Sequence, residues 1–200
     1  MKVDLDHVKF WMDAIRNSDD RLRILEAFYG GQLKSKEWLI DNLKPFIQEP
    51  ADIVIYGGWV GVLASMLFQS NIPVNKIESV DIDIGCLDLA CTMNKLEEMQ
   101  GRFRSICRPM ETYPNFGNNP VAINTSAEHI SQDAYEQWLD LLMPDTSIVV
   151  QSNNYKIPEH CRIAESLDEF KEQSNIDVHW AGELELPLYT RYMIIGKKYV

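Results

Sequence analysis

Apolar positions recur at helical spacing between Asp4 and Pro45: Val8, Trp11, Met12 and Ile15, then Leu22, Leu25 and Phe28, then Trp38, Leu39 and Leu43. Side chains three and four residues apart share one helix face, so this pattern predicts two or three amphipathic helices. Asn17-Ser18-Asp19-Asp20 supplies caps between the first two, Gly30-Gly31 closes the second, and Ser35 opens the third before Pro45 and Pro50 end the region. Beyond Pro50 short apolar runs alternate with amphipathic stretches, the mark of βαβ units around a buried, largely parallel sheet. Strands are predicted over 52–57, 77–82, 103–107, 120–124, 147–151, 176–184 and 190–197, and helices over 60–70, 85–100, 131–143 and 166–173. The last two strands have no helix between them, which predicts an antiparallel hairpin around Leu186-Pro187-Leu188 at the edge of the sheet.

A chain of 200 residues that is 46% hydrophobic suffices for one α/β domain but hardly for two. The division expected is an N-terminal helical extension or lid over 1–48 and an α/β domain over 49–200. Thirty acidic against 19 basic residues give a formal charge of −11, which repels a phosphate backbone. Lys34 with Lys36, Arg102 with Arg104 and Arg108, and Lys197 with Lys198 are short clusters rather than a stripe, so a nucleic-acid partner is not expected. The four cysteines contain no C-x-x-C pair, and three sit in apolar contexts suited to reduced core thiols. The start, MKVDLDHVKFW, has acids where a signal peptide needs an apolar run, and no stretch approaches the ~20 apolar residues of a membrane span. A soluble cytoplasmic protein with no membrane association is the expectation.

The first predicted strand, Asp52-Ile53-Val54-Ile55-Tyr56, runs into Gly57-Gly58-Trp59-Val60-Gly61 and then a helix. Glycines here permit positive φ and close approach of a ligand to the backbone, and the helix N-terminus favours electron-rich groups; a tight βα turn with no ligand is the plainer reading. The second strand, Ile77-Glu78-Ser79-Val80-Asp81, ends in a carboxylate about 20 residues on, the spacing at which an acid accepts hydrogen bonds from a ribose diol. Asp83 is placed to cap the following helix.

The run Val80-Asp81-Ile82-Asp83, followed by Asp88-Leu89-Ala90 and Asn94, resembles the class I S-adenosylmethionine-dependent methyltransferases, and the resemblance extends over residues 50–200. Phe103 to Met110 with Glu111 resembles that family's third strand and the segment beside the adenine. Val121 to Ile130 resembles the fourth strand and its loop, Leu141 to Val150 the helix, turn and fifth strand, and Tyr189 to Lys198 the last strand. The fold this implies is a three-layer, Rossmann-like, seven-stranded, mostly parallel sheet with a C-terminal antiparallel hairpin, preceded by N-terminal helices. The terminal hairpin and the lack of a regular G-x-G-x-x-G disfavour a nicotinamide oxidoreductase. The cofactor implied is S-adenosylmethionine, held by Gly57, Gly58, Trp59, Gly61, Asp81, Ile82, Met110, Glu111 and Asn124. Two positions depart from the family. Ile55 stands where an acid usually orders the methionine end, and Trp59 replaces a glycine of the loop, which leaves loss of cofactor binding open.

Glu128-His129 follows the fourth strand, and Asn153, Asn154 and His160 follow the fifth, so all should gather at the carboxyl edge, where ligands of open α/β sheets bind. Methyl transfer from a sulfonium needs an in-line nucleophile, and a base only where the acceptor loses a proton. His129 or His160, with Glu128, is a candidate for that base; alternatively Glu128 and His129 brace the next helix and His160 is a surface residue. No i, i+4 His pair or C-x-x-C sets a ligand geometry, so no metal is expected. Gln32, Ser35, Lys36 and Trp38 are lid or substrate candidates, against a plain reading as helix caps with Trp38 in the core. The function expected is methyl transfer to a small-molecule or protein acceptor. The alternatives are a non-methylating enzyme that uses the same cofactor and a catalytically silent interaction module.

Overall fold

The computed structural model describes residues 4–199. In chain order the elements are α1 (Leu5–Asn17), α2 (Arg21–Ala27), α3 (Gly30–Leu43), β1 (Ala51–Tyr56), α4 (Val62–Phe68), β2 (Val74–Asp81), α5 (Ile84–Met93), α6 (Lys95–Met99), β3 (Phe103–Cys107), β4 (Val121–Asn124), α7 (Gln132–Leu141), β5 (Ser147–Asn153), α8 (Leu167–Ser174), β6 (Asp177–Glu185) and β7 (Thr190–Lys197). They form one seven-stranded sheet in the order β3-β2-β1-β4-β5-β7-β6. The pairs among β1 to β5 are parallel, whereas β7 runs antiparallel to both β5 and β6. The hairpin turns at Leu186, whose N–H donates to the Tyr189 carbonyl at 3.0 Å.

Every residue of β1 is buried, and its alternation sorts the two faces. Ile53 and Ile55 pack with Leu39 and Leu43 of α3, Leu63 and Leu67 of α4, and Ala90 of α5. Val54 and Tyr56 pack with Tyr135, Trp138 and Leu139 of α7 and Phe170 of α8. A third cluster ties α1 and α2 to the first layer through Ala14, Ile24, Ala27, Val62, Met66 and Cys86. The helix α3 thus shares its core with the sheet.

Several predicted details differ. Gly30-Gly31 opens α3 instead of closing α2, which already ends at Ala27. Ser35 is therefore inside a helix rather than at its start, buried and donating to Gln151 Oε1 at 3.0 Å. The single helix expected over 85–100 breaks at Asn94. The Asn94 amide donates to the carbonyls of Gly61 at 3.1 Å and Ala90 at 2.9 Å, diverting the backbone as short amide side chains do. Of the four cysteines only Cys86 is buried; Cys91 is half-buried and Cys107 and Cys161 are exposed, so the apolar neighbours in sequence do not translate into core positions. No helix among the described residues is long and apolar enough to cross a membrane.

Candidate active site

The turn after β1 is clamped onto the neighbouring strand. The N–H groups of Gly57 and Gly58 both donate to the Val80 carbonyl, at 2.9 and 3.2 Å. Gly57 and Gly61 adopt φ of 68° and 79°, and Trp59 is also left-handed at φ 50°, a conformation costly for an aromatic residue. Two interactions hold it there. The Trp59 N–H donates to Asp81 Oδ2 at 2.9 Å, and the indole is half-buried against the cluster of α1, α2 and α4. The other Asp81 oxygen accepts the Asp83 N–H at 3.0 Å. Asp83 caps α5 through the N–H groups of Gly85 and Cys86, as its position in the sequence suggests. It also pairs with Arg23 of α2 at 2.6 Å, and that guanidinium, with the cap, holds its carboxyl below the usual range.

Two adjoining clefts open at the carboxyl edge of the parallel strands. The larger, about 470 Å³, has Gly57, Gly58, Trp59 and Asp81 on one wall, Gln32 and Lys36 of α3 on another, and Glu128, His129 and Arg191 opposite. Its neighbour, about 400 Å³, shares Gly57, Asp81, Ser126 and His129 and adds Ile82, Arg108, Met110, Glu111 and Ile130. Ile82 is 73% exposed, an apolar side chain open to solvent on the wall of this second cleft. A third, mostly apolar groove of about 470 Å³ lies behind Gln32 and Trp59 and is lined by Tyr29, Leu186, Leu188 and Tyr189.

The cleft walls carry unusual electrostatics. Lys36 is 8% exposed and donates to Gln32 Oε1 at 2.8 Å. Burial, with the positive charge of Arg191 adding to it, pushes its pKa down to about 7. Arg191 donates to the Thr125 carbonyl at 2.9 Å and to Glu128 Oε1 at 3.4 Å, while its Nε is buried without a partner. Glu128 Oε1 also accepts from Asn153 Nδ2 at 2.6 Å, and Glu128 Oε2 is likewise buried and unpartnered.

The structure therefore gathers Gly57, Gly58, Trp59, Asp81, Ile82, Met110, Glu111, Glu128, His129, Gln32 and Lys36 around the clefts. Other candidates lie elsewhere. A Cβ on Gly61 would lie 2.9 Å from Ala90 Cα, so that glycine serves close packing against α5. Asn124 is buried and accepts the Ser126 N–H at 2.9 Å, shaping the loop after β4. Trp38 packs edge-on against Trp180, with centroids 5.8 Å apart. Asn153 braces Glu128, and Asn154 accepts the Thr190 N–H at 2.9 Å. His160 lines neither cleft but meets His129 edge to face, with centroids 4.6 Å apart. One ligand atom from each of Glu128, His129 and His160 lies within 4.8 Å of the others. The missing helical His pair and C-x-x-C do not bear on this trio, whose members come from two separate loops. Sequence reasoning passed over Arg23 and Arg191. Arg191 had a signal, a cation immediately before the apolar run of β7; Arg23 had none.

No family model matches the chain, and no curated protein sequence matches it. Solved structures do. The magnesium protoporphyrin IX methyltransferase ChlM from Synechocystis PCC 6803 with bound SAM superposes with a TM-score of 0.65 at 12% identity, covering 96% of this chain and 91% of that one. The pyocyanin biosynthetic protein PhzM superposes at 0.63 with 14% identity over 94% of this chain. The mitomycin 7-O-methyltransferase MmcR also superposes at 0.63, with 13% identity over 94% of this chain. The chain spans 62% of PhzM and 60% of MmcR, less than two thirds of either. The fold is that of the class I S-adenosylmethionine-dependent methyltransferases. Within it, the two clefts lie where open α/β sheets receive ligands.

Proposed function

We propose that this chain is an S-adenosylmethionine-dependent methyltransferase acting on a small-molecule or protein acceptor. The observation that carries the reading is the pair of clefts meeting at Asp81, one with mostly apolar walls and one of mixed polarity. Asp81 would hold the ribose, since each of its oxygens uses one lone pair on a backbone N–H and keeps another. Ile82, Met110 and Ile130 would enclose the adenine, with Gly57 to Trp59 along the methionine tail. With no acid at Ile55, the polar groups left for that tail are those of the larger cleft. The cofactor supplies a methyl group on an already activated sulfur, so the protein's task is placement of the nucleophile. His129 lines both clefts, and its Nδ1 faces the Glu159 carbonyl at 3.3 Å, which leaves Nε2 free to accept a proton from an acceptor. The apolar groove behind Trp59 gives the acceptor's body a place to lie, and the acidic surface favours acceptors other than nucleic acid.

Calorimetry with S-adenosylmethionine, S-adenosylhomocysteine and NAD tests the assignment: the two sulfur nucleosides bind and NAD does not. Asp81→Asn, which preserves shape, weakens S-adenosylhomocysteine by about 1.5–3 kcal/mol, the scale of hydrogen bonds to a charged group. Unchanged affinity in that variant would place the ribose elsewhere, and binding of neither nucleoside would remove the reading.

A further inference from the structure

We propose that Glu128, His129 and His160 form a binding site for one divalent first-row transition-metal ion at the end of the larger cleft, where it would take an oxygen nucleophile of the acceptor. The three residues converge from two loops. Glu128 and His129 lie in the short turn after β4, and His160 lies in the loop after β5. That loop is fastened to the turn through one carbonyl: the Glu128 oxygen accepts the N–H groups of Cys161 at 2.9 Å and Arg162 at 3.1 Å. The convergence is thus built into the backbone rather than left to chance rotamers.

The side chains are oriented as metal ligands are. His160 Nδ1 stands 2.7 Å from the Tyr155 carbonyl and His129 Nδ1 stands 3.3 Å from that of Glu159. A carbonyl only accepts, so each ring carries its proton on Nδ1 and presents a bare Nε2 lone pair, the arrangement that fixes tautomer and orientation in histidine metal sites. Glu128 completes the set. It is 3% exposed; its Oε1 is occupied by Asn153 and Arg191, and its Oε2 is buried with no partner. A buried carboxylate oxygen without a donor is costly, and a cation removes that cost. Two atoms each about 2.1 Å from an ion stand at most about 4.2 Å apart. One potential ligand atom of each residue already lies within 4.8 Å of the others, close to that span, and the exposed His129 ring has room to turn toward an ion.

The donor set decides the class of ion. Two imidazoles and one carboxylate, itself partly neutralised by Arg191, suit zinc, cobalt, iron or manganese better than magnesium or calcium, which take all-oxygen shells. Three protein ligands leave coordination positions open, and Glu128 and His129 both line the cleft. With the ion bound, His129 Nε2 is a ligand and no longer the free base; a hydroxyl or phenol on the ion instead has its pKa lowered, releases its proton to water and attacks the sulfonium methyl. An O–C bond forms while the C–S bond breaks, its electron pair staying on sulfur. That chemical role rests on the methyltransferase reading; capture of the ion does not.

The test is calorimetric titration of the chelator-treated full chain with Zn²⁺ and, separately, Co²⁺, the latter also read by its visible absorption. One ion binds per chain, and His129→Ala and His160→Ala each weaken it at least tenfold. His179→Ala, on an exposed ring 3.4 Å from Asp177, and Cys161→Ser leave it unchanged. No binding, or binding equally strong in the His129→Ala/His160→Ala double variant, overturns the proposal. Because these titrations contain no cofactor, a chain that captures the ion but no sulfur nucleoside refutes the methyltransferase reading alone, and the converse result refutes the metal site alone.

Discussion

Lys36 is the residue whose charge the fold restrains most clearly. In the folded chain it loses its proton near pH 7, whereas in the unfolded chain it keeps it up to the ordinary value of 10.5. Between these limits the unfolded state binds more protons, so this residue makes stability rise with pH, by at most about 1.4 kcal/mol per unit. Below pH 7 its full penalty is present. Denaturant unfolding of the parent and of Lys36→Met at pH 7 and pH 9 should show the parent gaining about 2 kcal/mol relative to the variant. A difference that stays flat with pH would mean that Lys36 remains charged in the folded state. Lys36 was readable as a candidate only because it stood in an odd mixture of aromatics, glycines and lysines; nothing local announced that Arg191 would face it from the far end of the chain. The place of Asp81 beside the turn was legible because that turn lies one βα unit away, at a spacing set by the fold. Gly61 shows the limit of such reading. Its place in the loop looked like a ligand contact, and a Cβ there would also collide with Ala90 of α5, a packing demand the sequence did not announce.

At the scale of elements, the succession of strands and helices followed from the alternation of apolar runs and amphipathic stretches, since a fully buried strand such as β1 needs cover on both faces. Boundaries were less legible. Gly30-Gly31 looked like a helix stop, yet the residue before them, Tyr29, has the extended geometry of an N-cap and its carbonyl accepts the Leu33 N–H at 3.0 Å. Glycine weakens a helix without forbidding one. The attachment of α1 was not legible at all. Its His7 is buried and meets Glu97 of α6 at 2.8 Å, a pair 90 residues apart in sequence. Replacing His7 by Leu leaves the Glu97 carboxylate, 5% exposed, without its donor. The expected cost is about 1–3 kcal/mol in global stability, with faster amide hydrogen exchange along α1. Unaltered exchange in that helix would show that its apolar contacts alone hold it.

Over the whole molecule, a chain of net charge −11 sets three basic side chains, Arg23, Lys36 and Arg191, beside two carboxylates, Asp81 and Glu128, in the larger of its adjoining clefts. The cleft is therefore close to neutral against an acidic exterior, so an anionic group meets less repulsion there than on the surface, which repels polyanions. The indole of Trp59 stands on the wall shared by that cleft and the apolar groove. The other tryptophans are otherwise engaged: Trp11 lies against Phe28, Trp38 against Trp180, and Trp138 is fully buried. The chain thus contains its own optical reporter. Filling the cleft with S-adenosylhomocysteine should change the intrinsic emission of the protein, and Trp59→Phe should abolish most of that change while leaving a calorimetric signal. An unaltered response in the variant would assign the light to another indole. A residue held in a strained conformation beside the site would then serve as a label that no chemist needs to attach, reporting occupancy of the cleft in real time.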